Sequence, residues 1–135
     1  MKTQPKSTKF KKTRKRRQNP IFEFRTNTIR FGNIGLQATV SGTITSKQIE
    51  AARQTIVRKI KRKGKVWIRI FTHTPVTSKP TESRMGKGKG AVSHWCAYVK
   101  GGTVLFEICG VSKQIAKEAL ISGGAKLPVT TKTFD

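Results

Sequence analysis

Acidic residues are scarce in this 135-residue chain: six Asp and Glu stand against 29 Lys and Arg, leaving a formal net charge of +23. So few acids cannot neutralise the cations internally, and the resulting self-repulsion calls for a polyanionic partner. Nucleic acid fits that role better than an anionic membrane surface or a merely cationic protein without a partner. The acids also offer little for catalysis. Glu50 stands at a helix start, Glu107 and Glu118 belong to separate elements, and no Ser/His/Asp or Cys/His set finds a third partner, so no enzyme is expected. Two cysteines, Cys96 and Cys109, are too few for a disulfide framework and indicate a reducing compartment. With no C-x-x-C pair and His73 remote from both thiols, neither a metal nor a cofactor is expected. Long apolar runs are missing too. None approaches the ~20 residues that a membrane-spanning helix requires, and no membrane partner is expected.

What the chain does contain is organised into a basic arm and one domain of a length that buries roughly two thirds of its unfolded surface. Residues 1–19 carry Lys6, Lys9, Lys11, Lys12, Arg14, Lys15, Arg16 and Arg17 and almost nothing to bury, which predicts an arm disordered by itself. Fully extended, seventeen residues reach on the order of 60 Å, enough to thread crevices closed to a folded domain.

Residues 20–135 read as a single globular domain. From Phe22 to Val40 the pattern is strand-like, interrupted by Gly32 and Gly35. Thr45-Ser46-Lys47-Gln48 matches a capping box, and Ile49, Ala52, Ile56 and Ile60 follow at helical spacing, predicting a helix that stops near Gly64. Lys47, Arg58, Lys61 and Arg62 fall on its outer face, with Arg58 and Arg62 expected at RNA. Lys65 to Phe71 alternates as a strand, with Val66, Ile68 and Ile70 on one face. Trp67 and Phe71 on the other are expected in the core, and Arg69 at a phosphate. Trp95–Lys100 and Thr103–Cys109 read as a hairpin closed by Gly101-Gly102, a register that sets His94 opposite Cys109 and Cys96 opposite Glu107. Ser112 opens a second helix with Ile115, Ala116, Ala119 and Leu120 inward, ending near Gly123-Gly124.

Between strand and hairpin, residues 72–93 lack apolar periodicity, contain Pro75 and Pro80, and read as a long functional loop. Within it Arg84-Met85-Gly86-Lys87-Gly88-Lys89-Gly90 alternates cation and glycine. The glycines permit close approach and positive φ, while Arg84, Lys87 and Lys89 bring charge to a phosphate. A nucleotide-binding P-loop is rejected, because the G-x-x-x-x-G-K-[ST] spacing is absent and a strand follows instead of a helix.

Pro5 to Lys12, Ile44 to Arg53, Gly64 to Phe71, Lys79-Pro80, Arg84 to Gly90, Leu105 to Ile108 with Gly110-Val111, and Ala125 to Pro128 together resemble the family of large-subunit ribosomal protein sixteen of bacteria and organelles. The chain departs from that pattern at Gln54 and at Thr72-His73-Thr74. The resemblance implies an α+β fold: a two-layer sandwich with a hammerhead-like β motif, two helices packed on an antiparallel sheet, and an extended basic N-terminal arm. It implies a structural constituent of the large ribosomal subunit, bound to large-subunit ribosomal RNA and neighbouring ribosomal proteins near the peptidyl-transferase centre. The loop Arg84 to Gly90 would face A-site or P-site tRNA, and no homo-oligomer is expected. Because the chain starts close to the family's own N-terminus, a bacterial protein, an organelle-encoded one or a processed form is expected, and rich use of Lys, Ile and Thr favours a mitochondrion over a plastid. The competing reading is a free, basic RNA-binding regulator outside the ribosome, which would sediment away from large subunits at moderate salt.

Overall fold

The computed structural model describes residues 4–15 and 22–135. Among these residues seven strands and two helices follow in the order β1 (Ile34–Ala38), β2 (Gly42–Thr45), α1 (Ser46–Lys59), β3 (Lys65–Ile68), β4 (Thr74–Ser78), β5 (Ala91–Val99), β6 (Val104–Cys109), α2 (Lys113–Gly124) and β7 (Thr131–Phe134). They form two antiparallel sheets, one ordered β3-β6-β1-β7 and the other β2-β5-β4, with both helices packed on them. This is the α+β architecture that the family resemblance implies.

Helix α1 starts where its capping box puts it. The Thr45 side chain accepts from the Gln48 N–H, and the Gln48 side chain accepts in turn from the Thr45 N–H at 2.9 Å. Ile49, Ala52, Ile56 and Ile60 are buried, against a core completed by Ile34, Leu36, Phe106, Ile108 and the α2 residues Ala116, Ala119 and Leu120. The two helices approach closely because Gly123 has no side chain: a Cβ there would lie 2.5 Å from Cγ1 of Ile56. Ile115, expected inward, is 46% exposed. Ser112 occupies the N-cap position of α2 without a side-chain cap hydrogen bond.

Three expectations give way to the pairing. Strands β5 and β6 are not partners: β5 pairs with β2 and β4, and β6 with β1 and β3. Gly101-Gly102 therefore turns the chain from one sheet into the other, and Thr103 donates its N–H to the Lys100 carbonyl at 3.2 Å across that corner. Cys96 consequently faces Thr45 and Thr74, Cys109 faces Lys65, and both are free thiols. Burial pushes the Cys96 thiol up. The second correction lies in residues 72–93. Residues 74–78 form β4, paired with β5 through a register shift between Val76 and Thr77, so the connection shrinks to 79–90. Pro75 is accommodated because β4 is an edge strand, where a missing N–H costs no ladder bond.

The third correction concerns the outer face of the four-stranded sheet. Val66, Ile68 and Ile70 pack on the core, as expected, while Trp67 is half-buried on the opposite face and Phe71 is exposed. Of the strand-like stretch 22–40, only Ile34–Ala38 forms a strand. The irregular segment before it crosses the sheet's outer face, tied by Glu23 N–H to the Gly101 carbonyl, Val104 N–H to the Thr26 carbonyl and Asn33 N–H to the Ile108 carbonyl.

Candidate nucleic-acid interface

The loop 79–90 caps the β4–β5 hairpin and is exposed along nearly its whole length. Gly86, Lys87 and Gly88 hold φ values of 92°, 53° and 91°, three left-handed residues in succession. Two glycines carry most of that conformation without steric cost, and a Cβ on either would meet nothing within 4 Å. The backbone there is therefore open to a partner. Lys79 donates its ammonium to the Gly86 carbonyl, folding the loop around an open hollow of about 550 Å³ lined by Arg84, Met85 and Lys87 among others. Met85 is 99% exposed at the tip.

The arm lies against this loop. Lys12 donates to the Lys89 carbonyl at 2.9 Å, and Lys89 donates back to the Thr13 carbonyl. These are lysine-to-carbonyl bonds that consume no anion, so both segments keep their full positive charge at the point where they meet. Lys6, Lys9, Lys11, Arg14 and Lys15 are exposed along the same arm, while Arg16 and Arg17 lie outside the described residues. Thr13, Arg14 and Lys15 roof a hollow of about 270 Å³ over the outer face of the three-stranded sheet, floored by residues such as Thr43, Thr74, His94 and Tyr98. Nothing local in sequence signals this contact, because Lys12 and Thr13 stand 77 and 76 residues from Lys89.

A second cationic surface is the outer side of α1. Arg58 and Arg62 are exposed and, with Arg53, Gln54 and Val57, line a hollow of about 320 Å³. Arg53 is engaged by Glu50 at 2.6 Å. Lys61 and Arg62 follow the helix with φ of 53° and 61°, left-handed conformations that non-glycine residues adopt at a cost. The chain turns there through an Arg62 N–H to Val57 carbonyl bond of 3.1 Å.

Arg69 sits elsewhere. Its side chain is 11% exposed, and the guanidinium pairs with the fully buried Glu107 while also donating to the Thr28 carbonyl at 3.4 Å. The structure brings together the arm and the loop, sets the α1 cluster apart from them, and gives Arg69 an internal partner. Among the described residues no group of His, Cys, Asp and Glu is arranged to hold a metal, and no helix is long and apolar enough to cross a membrane.

Comparison with known proteins finds relatives along nearly the whole chain. Residues 5–134 match the family described as ribosomal protein L16p/L10e. The large ribosomal subunit protein uL16 of Francisella tularensis subsp. holarctica is 53% identical over 128 residues, covering 95% of this chain and 93% of that protein. The protein of the same name from Psychrobacter cryohalolentis is 52% identical over the same span. With a match that runs from the arm to the last strand, the chain belongs to the ribosomal protein L16p/L10e family.

Proposed function

We propose that this chain, a structural constituent of the large ribosomal subunit by its family, grips ribosomal RNA with its arm and the outer face of α1 and holds the loop Arg84 to Gly90 towards tRNA. The observation that carries this reading is the pair of reciprocal bonds between Lys12–Thr13 and Lys89, which ties the β5 end of the loop to the arm. Phosphate contacts by Lys6, Lys9, Lys11, Lys12, Arg14 to Arg17, Arg58 and Arg62 fix position without reading sequence. Arg69 contributes indirectly, through Glu107 and the segment that carboxylate holds. The loop, free of apolar packing, offers backbone and cations to the tRNA at the A site, and its role is to shape a pocket instead of performing chemistry.

The free-regulator alternative loses its ground to family membership. As to compartment, the bacterial relatives suit a bacterial cytoplasm, and the Lys-, Ile- and Thr-rich composition supports a mitochondrial ribosome of bacterial type; co-sedimentation with ribosomes of one compartment distinguishes the two. The loop's role is tested by replacing Arg84, Lys87 and Lys89 together with alanine. Subunits assembled with that variant should bind A-site tRNA more weakly, while the protein's own stability stays within about 0.5 kcal/mol of the parent, since exposed charges remote from the core scarcely affect folding. Unaltered tRNA affinity in fully assembled subunits refutes the proposal.

A further inference from the structure

The outer face of the four-stranded sheet carries an aromatic and cationic cluster that neither the arm nor the loop accounts for. Phe31 and Trp67 stack with ring centroids 6.2 Å apart and an interplanar angle of 20°. The Lys65 ammonium lies 5.2 Å from the Trp67 ring centre, and the Arg69 guanidinium carbon 5.3 Å from that of Phe31. With those contacts made, Phe31 remains 57% exposed. Its position is not loose. The neighbouring backbone is clamped from below by Glu107, which accepts the Phe31 N–H at 2.7 Å and the Gly32 N–H at 2.8 Å. An exposed ring presented on a fixed backbone has already lost much of the freedom that binding would otherwise take from it.

From this geometry we infer that Phe31, backed by Trp67, is a stacking platform for an unpaired nucleobase of RNA, with the exposed cations Lys65 and Arg30 at the flanking phosphates. The inference rests on the RNA-binding reading above and assigns that reading a second site of different chemistry. Charge complementarity selects the occupant. The acid beneath the platform, Glu107, is buried and fully engaged, so the rim is cationic and suits a phosphate-bearing strand. Aromatic faces accept any base, and such stacking contributes roughly 1–3 kcal/mol per base.

The test compares binding of the full chain to a short oligoadenylate with binding to an abasic strand of the same length and charge, across a salt series. The platform predicts tighter binding of the base-bearing strand by roughly 5- to 150-fold, the equivalent of that stacking energy. Phe31→Ala should abolish the preference and leave the salt slope unchanged. Should Phe31→Ala fail to fold, Phe31→Tyr and Phe31→Leu decide the matter: the ring-bearing variant keeps the preference and the aliphatic one, filling similar volume against Trp67, loses it. Equal affinity of the parent for the two strands overturns the platform, as does a preference that survives in Phe31→Leu. A steep salt slope accompanying equal affinities leaves the electrostatic reading standing while the platform fails, whereas a flat slope removes the electrostatic reading itself.

Discussion

Three backbone N–H groups, from Arg30, Phe31 and Gly32, point at the carboxylate of Glu107, and the Arg69 guanidinium closes its remaining side. Burial pushes this carboxyl up, but the Phe31 and Gly32 N–H groups, the Arg69 guanidinium and the Arg30 N–H together outweigh burial and hold it below its ordinary 4.5. A depressed carboxyl contributes stability that is fully present above its unfolded value and is lost as pH falls through the folded one, so this contribution starts to decline below 4.5 and is gone once the folded carboxyl is protonated. Glu107→Gln leaves Arg69 without its buried counter-charge and should lower stability by about 3 kcal/mol at neutral pH. Denaturant titrations at pH 7 and pH 3 check this: the gap between variant and parent should narrow in acid. An equal gap at both values would falsify the role given to the carboxylate.

At the level of elements, the two helices and the segment that follows α1 carry separable predictions. Gly123→Ala inserts a methyl 2.5 Å from Ile56 Cγ1, where a buried β-branched side chain has little room to move, and should cost roughly 1–3 kcal/mol in thermal or chemical unfolding. Arg62→Gly acts in the opposite sense. It relieves a left-handed φ of 61° and should raise stability by about 1 kcal/mol while weakening RNA binding, which separates the strain from the charge it presents. The elements also differ in how legible they are from sequence. Helix α1 is local in origin, with its cap and apolar stripe contained in consecutive residues, and its start follows from them, while its end at Lys59 comes about a turn before the Gly64 expected to stop it. Strand β4 is not, since Pro75 and an absent alternation hide a strand whose edge position tolerates both. Gly101-Gly102 reads equally as a hairpin turn or as a corner between sheets, and only long-range pairing decides between them. Trp67 illustrates the same limit: a large aromatic in a strand suggests core, yet Phe31, the ring that stacks on it at the outer face, lies thirty-six residues away in sequence. The cation-glycine stretch reads from sequence as a loop, and it is one, whereas its contact with the arm depends on tertiary structure.

For the whole molecule, ion pairs among the described residues engage Arg53, Arg69, Lys100, Lys113 and Lys117, and none of them involves the described cations of the arm, those of the loop, or Arg58 and Arg62. A net charge of +23 thus remains as surface field, and the ribosomal RNA expected of this family supplies the compensation. Binding then depends on release of counterions from the RNA, which depends on salt in a quantitative way. The most direct test is a filter-binding titration of the full chain against large-subunit ribosomal RNA over a range of salt concentrations. If about eight phosphates are neutralised, log affinity should fall with log salt at a slope of roughly −6 to −7; a slope near zero contradicts an anchor made of charge.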